Sequence, residues 1–267
     1  MHDHDLLGSC GAFIRSVASH WSGGGRLHHD TAKAHELWQT SMMSALLEGV
    51  YEGEVTYAEL AKHGDFGLGT FNDLDGEMIA IDGKFFQLRS DGSAHAVDPT
   101  QKTPFAVMTF FRPEVAQRLK RPLTRPELYA LLDALAPSRN LFYAIRIGGR
   151  FSRVVTRTMP RQTKPYRPLT AVVQEQATFE FRDVTGTVAG FRSPDYAQGI
   201  SVAGYHLHFI TSDRSGGGHV LDLTSEDATL AIDHSSGLHV ELPETPAFLS
   251  AGLGKAGTSE AVKKAEG

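Results

Sequence analysis

Apolar positions recur along this chain with two different periods, and each change of period marks a change of element. In TAKAHELWQTSMMSALLEGV, Trp38, Met42, Ala45 and Leu46 fall at helical spacing and Gly49 supplies a stop, so a helix is predicted. A short second helix is predicted over TYAELAKHG, where Thr56 and Glu59 form a capping box and Gly64 ends the element. From Gly67 the period shortens to two. Asp-Gly pairs at 75–76, 82–83 and 91–92 bracket EMIAI and KFFQLRS, the chemistry of tight hairpins, and TPFAVMTFF extends the strand-rich stretch. LTRPELYALLDALAP returns to helix, with a Thr124–Glu127 capping box and a stripe of Leu128, Leu131, Leu132 and Leu135. Strands then follow in LFYAIRIGGRFSRVVTRTM, ATFEFRDVTGTVAGFRS, GYHLHFITSD, HVLDLTSEDATLAI and GLHVELP.

This order predicts a mixed α/β (α+β) fold of two strand-rich halves, each a β-sheet with few helices, on either side of the helix near 124–136. Four segments are expected: a poorly ordered 1–30 with SGGGRLHHD as connector, an N-terminal α/β domain 31–136, a β-rich domain 137–249, and a mobile tail 250–267.

Composition narrows the function classes. At 267 residues, 41% hydrophobic and 21% charged, the chain can bury a sizeable core and reads as an ordinary soluble globular protein. A net charge of -5 argues against a nucleic-acid partner, whose footprint is usually basic. Cys10, the single cysteine, can form neither an internal disulfide nor a thiolate zinc site. No apolar run approaches the roughly 18 residues of a membrane span. The first residues lack a signal-peptide pattern, so a cytoplasmic protein is expected.

Candidate chemistry concentrates in GYHLHFITSDRSGGGHV. Residues i and i+2 of a strand share a face, so His206 and His208 present two imidazoles side by side. If the chain turns near Arg214, His219 lands opposite His208 or Phe209, with the glycines free to form a bulge. Three neutral imidazoles on one face suit zinc or a similar divalent ion and leave a fourth position open; the bland alternative is an alternating strand with exposed histidines. Glu77 shares its strand face with Ile79 and Ile81, so burial should raise its pKa toward proton transfer, unless it reaches back to solvent. Arg157 ends a β-rich run, where a guanidinium could hold a carboxylate bidentately or simply lie on the surface. His2 and His4 read as a frayed end, GDFGLG runs into a strand and not a helix, and NDLDGE is explained by an Asp-Gly turn.

Two long blocks carry a resemblance. LLEGVYEGEVTYAELAKHGDFGLGTFNDLDGEMIAIDGKFFQLRSDGSAHAV resembles the N-terminal half of the α-acetolactate decarboxylase family, and GTVAGFRSPDYAQGISVAGYHLHFITSDRSGGGHVLDL resembles its metal-binding half. The likeness spans roughly Trp38 to Glu244, with His-x-His-x10-His as its most specific motif. The resemblance implies a homodimer that converts (S)-2-acetolactate to (R)-acetoin and carbon dioxide, through a metal-stabilised enediolate protonated on one face. It implies Zn2+ on His206, His208 and His219, with Glu77 and Arg157 in the active site and Thr70 in the pocket wall. It also implies an active-site glutamate from the C-terminal tail, aligned here to Glu266, with Glu260, Glu241 and Glu244 as alternatives. The metal site is expected between the two halves, with neither nucleic acid nor membrane as partner. A cupin-type dioxygenase and a non-catalytic small-acid or metal-binding module remain rival readings. Against the first, no carboxylate follows His208 before Asp213.

Overall fold

The computed structural model describes residues 35–254 and 258–266; the readings made for 1–30, Cys10, His2 and His4 among them, lie outside these. The first part of the chain runs β1 (Glu36–Thr40), α1 (Met43–Leu47), β2 (Val55–Thr56), α2 (Tyr57–Leu60) and β3 (Phe66–Thr70). Next come β4 (Glu77–Ile81), β5 (Lys84–Leu88), β6 (Ala94–Ala96), β7 (Lys102–Thr103) and β8 (Ala106–Thr109). β9 (Val115–Arg118), β10 (Leu123–Thr124) and α3 (Arg125–Leu135) lead into the long strand β11 (Phe142–Thr158). After α4 (Leu169–Val172) come β12 (Ala177–Ser193), β13 (Gly204–Thr211), β14 (Gly217–Ser235) and β15 (Gly237–Glu241). Two helices, α5 (Pro246–Ser250) and α6 (Thr258–Glu266), finish the described chain. The fold is strand-rich with few helices, as expected.

Seven strands form one sheet in the order β15-β1-β8-β3-β4-β5-β6. The second sheet runs β10-β14-β11-β12-β13, with β9 also on β14. β14 pairs in addition with β13, so β14, β11, β12 and β13 close a ring. Sheet membership does not follow the segment boundaries expected above. β9, β10 and α3 accompany the second sheet, whereas β15 returns to lie parallel to β1 in the first. The physical reason is edge pairing: β1 would otherwise leave one row of backbone groups unpaired.

That pairing also overturns the predicted helix over residues 31–50. Glu36–Thr40 is a strand whose last four residues are buried, and of the described residues in this stretch only Met43–Leu47 is helical. A strand covered on both faces has no alternation to display, so Trp38 falls at helical spacing by coincidence. Gly49, at φ +85°, does follow the short helix. In the tail, α6 buries Val262 and Ala265.

The two sheets share one core. Leu37, Leu68, Ile79, Ile81 and Val107 of the first pack in the same cluster as Ala144, Ala189, Phe191 and Ile210 of the second. Close approach is achieved at Gly190, where an added Cβ would lie 2.1 Å from the His206 carbonyl oxygen and 3.0 Å from Leu68 Cδ2. The opposite face of the second sheet, with Ile145, Ile147, Val188, Leu207 and Phe209, packs with Leu128, Leu132 and Leu135 of α3. The outer face of the first sheet holds Trp38, Met78, Ala80 and Met108 together with Tyr57 and Leu60.

Candidate active site

Strand alternation puts His206 and His208 on the face of Ile210, which is the shared-core face. Arg214, at φ +61°, sits in the turn that follows, and His219 returns in register with His208. The same His219 is in register with Arg157 on β11, so Arg157, His219 and His208 form one row across three strands. A register shift between Val155 and Thr156, just ahead of Arg157, re-aims the strand there. Gly218 permits the crossing, since a Cβ on it would stand 2.6 Å from the Arg157 carbonyl oxygen.

All three imidazoles are buried, and one ligand atom from each lies within 4.8 Å of the others. Their tautomers follow from their partners. His208 Nδ1 is 2.7 Å from the Met78 carbonyl oxygen, so it carries the proton and donates. His219 Nε2 donates to the Glu266 carbonyl oxygen at 3.0 Å. The remaining nitrogens, His208 Nε2 and His219 Nδ1, are buried lone pairs without a hydrogen-bond partner. Leaving such atoms unpaired is costly, and a cation would satisfy them together. Burial, aided by the Arg157 charge, pushes all three pKa values down, His208 to about 3. The imidazoles are therefore neutral and competent as ligands, and the residues present fit a divalent metal.

Glu77, at the mouth of β4, is 7% exposed and faces this cluster. Its Oε2 stands 3.6 Å from His208 Nε2, and its Oε1 accepts from Arg157 Nη1 at 3.0 Å. Burial raises its carboxyl to about 7, a rise opposed by Arg157 and assisted by Glu266. Arg157 is 3% exposed, which removes the surface reading. Its Nη2 donates to Glu266 Oε2 at 3.0 Å and to the Ala265 carbonyl oxygen at 2.8 Å. Glu266 Oε2 also lies 3.5 Å from His219 Nδ1 and 3.6 Å from His206 Nε2, too far for hydrogen bonds. Burial raises the Glu266 pKa against the pull of Arg157. The alternatives Glu241, Glu244 and Glu260 are all exposed.

Thr70 is buried on β3, where its Oγ1 donates to the Gly76 carbonyl oxygen at 2.7 Å. It lines a cavity of about 20 Å³ with Glu77, Arg157, His206 and Glu266. Sequence reasoning missed the apolar wall of this cavity, formed by Met43, Leu46, Phe105, Met159 and Leu169. Leu46 fits a helix stripe in the sequence, and nothing in the local pattern of the others distinguishes them from core.

The α-acetolactate decarboxylase family model matches residues 37–255. Among curated relatives, the α-acetolactate decarboxylase of Methylococcus capsulatus is 49% identical, covering 95% of this chain and 97% of that protein. The enzyme of the same name from Klebsiella aerogenes is 51% identical over 86% of this chain and 88% of its own. The crystal structure of α-acetolactate decarboxylase from Bacillus subtilis strain 168 superposes with a TM-score of 0.86 at 45% identity, covering 87% of this chain and 99% of that one.

Proposed function

The chain belongs to the α-acetolactate decarboxylase family and carries its activity, decarboxylation of the small keto acid acetolactate, and on that premise we propose a zinc-assisted route. The substrate is (S)-2-acetolactate and the products are (R)-acetoin and carbon dioxide. The site lies between the two sheets, with the histidines from one and Glu77 from the other. The observation that carries this reading is the pair of buried, unpartnered lone pairs on His208 and His219, facing two carboxylates and one guanidinium.

Zinc on His206, His208 and His219 would supply a Lewis acid where negative charge develops as carbon dioxide leaves. Arg157 binds the substrate carboxylate and holds it for departure, exchanging part of its contact with Glu266. Thr70 and the apolar wall of Met43, Leu46 and Phe105 enclose the methyl groups and exclude water. A carboxyl group of Glu77 or Glu266 then delivers a proton to the carbon left electron-rich, on one face only, which sets the product configuration. Two neighbouring carboxyls push their titrations apart, which leaves one protonated when the other is ionised. A cation bound beside them would lower both.

The proposal extends to a homodimer acting in the cytoplasm. No helix among the described residues is long and apolar enough to cross a membrane. The test is direct: purified protein is given racemic acetolactate, and acetoin is measured against spontaneous breakdown. Wild type should form (R)-acetoin with zinc bound, and His206→Ala should lose the metal together with nearly all turnover. Full activity in metal-free protein would sink the zinc proposal. Oxygen consumption with bound iron would favour the cupin-type reading instead.

A further inference from the structure

At the end of β14 opposite His219, roughly 50 Å along the strand, a second group of metal-binding side chains comes together. His35 directly precedes β1, His234 lies near the end of β14, and Glu114 directly precedes β9. One ligand atom from each lies within 4.8 Å of the others. The three come from separate parts of the chain, and their meeting is held by backbone contacts. Ser236 N and Gly237 N donate to the His35 carbonyl oxygen at 3.2 and 3.4 Å, and Glu114 N donates to the Ile232 carbonyl oxygen at 2.9 Å.

Asp233 decides how His35 is presented. Its carboxylate is fully buried, with Oδ1 2.8 Å from His35 Nδ1 and Oδ2 accepting from Arg112 N at 2.7 Å. His35 Nδ1 also faces the His234 carbonyl oxygen at 3.0 Å. Both partners are acceptors, so Nδ1 carries the proton and the lone pair is on Nε2. Among the described residues that Nε2 has no hydrogen-bond partner. A carboxylate behind a histidine, fixing its tautomer and raising its basicity, is the arrangement that supports metal-bound imidazoles. The His234 ring stacks on that of His35, centroids 5.0 Å apart and planes 17° from parallel, and its Nδ1 contacts Glu114 Oε2. His35 is held at φ +67°, a left-handed conformation uncommon for a non-glycine residue. An ordinary ion pair between His234 and Glu114 needs neither the strained His35 nor the buried carboxylate behind it.

We propose that His35, His234 and Glu114 form a second divalent-cation site, with Asp233 as the positioning residue that orients His35. Two imidazoles and one carboxylate are borderline donors that suit zinc, with cobalt as a spectroscopic substitute. The two carboxylates Glu114 and Asp233 balance the charge of a dication, and the half-exposed setting allows exchange with solvent. A cation there would fasten the start of the first sheet to the second, at the point where the chain crosses from β14 to β15. This inference is independent of the chemistry proposed for the buried histidines.

The full chain, stripped with chelator, is dialysed to equilibrium against graded Zn2+, and bound metal per chain is measured by atomic spectrometry. Glu114→Gln should bind one equivalent fewer than wild type in the range where the wild-type site fills. Asp233→Asn should weaken the same class of site by about 10–100-fold, the usual effect of removing an outer-shell carboxylate. Decarboxylation by Glu114→Gln at saturating zinc should match wild type, which separates this site from the catalytic one. Glu114 has an exposed side chain, so this variant decides the matter even if a change at Asp233 or His234 disturbs folding. Zinc stoichiometry and affinity in Glu114→Gln and His234→Gln equal to wild type would overturn the proposal and leave an ion pair.

Discussion

Glu77 shows how one residue draws its chemistry from three surroundings. Burial beside Ile79 raises its carboxyl, Arg157 pulls it back, and Glu266 raises it again, for a net value of about 7. A carboxyl raised by burial can give a proton and recover it within one cycle, and a cation bound beside it would pull it part of the way back. Glu77→Gln keeps the shape and can still hydrogen-bond Arg157, but it carries no transferable proton. The proposed mechanism therefore expects bound zinc to be retained while kcat falls on the order of 10²–10⁴-fold or the product loses its single configuration. Metal analysis with chiral chromatography of acetoin checks both. Wild-type rate and configuration would pass the role to Glu266.

At the scale of elements, the capping boxes were legible because they depend on neighbours in sequence. Thr124 N and Oγ1 both donate to Glu127 Oε2, at 2.9 and 2.7 Å, at the start of α3. These bonds, with that from Arg121, lower the Glu127 pKa to about 2. A depressed carboxyl contributes stability that is fully present above its unfolded value, about 4.3, and is lost as pH falls through about 2. Urea unfolding should therefore show Glu127→Gln less stable than wild type at pH 6, with the gap closing as pH approaches 2. A gap independent of pH would mean that the charge is not responsible. For a similar local reason, a Gly-rich turn, the partner of His219 could be narrowed to His208 or Phe209, and the hairpin pairs it with His208. β1 and α6 were not legible. One is defined by the strands beside it, and the other has a short apolar face, Val262 and Ala265, hidden in a Gly- and Lys-rich tail. Removing residues 258–267 deletes Glu266 and uncovers the cavity wall. Turnover should drop by at least 10²-fold, by the usual measure for a lost acid–base group, while the far-UV spectrum stays close to wild type. Unchanged turnover would exclude Glu266 from the site chemistry.

For the whole molecule, the consequence of closing β14 on β13 and returning β15 to β1 is that neither sheet owns a separate stretch of chain. The sequence pattern announced two strand-rich halves, yet it could not reveal this exchange, because long-range pairing leaves no periodic trace. The shared core ties the halves energetically. Phe191 on β12 is buried, opposite His206 in register, and meets Phe66 of β3 edge-on at 5.9 Å. Phe191→Ala should cost about 3–5 kcal/mol, the range for a large aromatic removed from a packed core. If the sheets unfold as one unit, amide-exchange protection in β3–β4 and in β11–β12 should fall by the same amount in this variant. Should β3–β4 keep wild-type protection while β11–β12 loses it, the sheets would be separate cooperative units. In that event the junction that brings Glu77 to the histidines would open without global unfolding. Equal loss instead means that the same burial that stabilises the fold holds the carboxylate of one sheet against the imidazoles of the other.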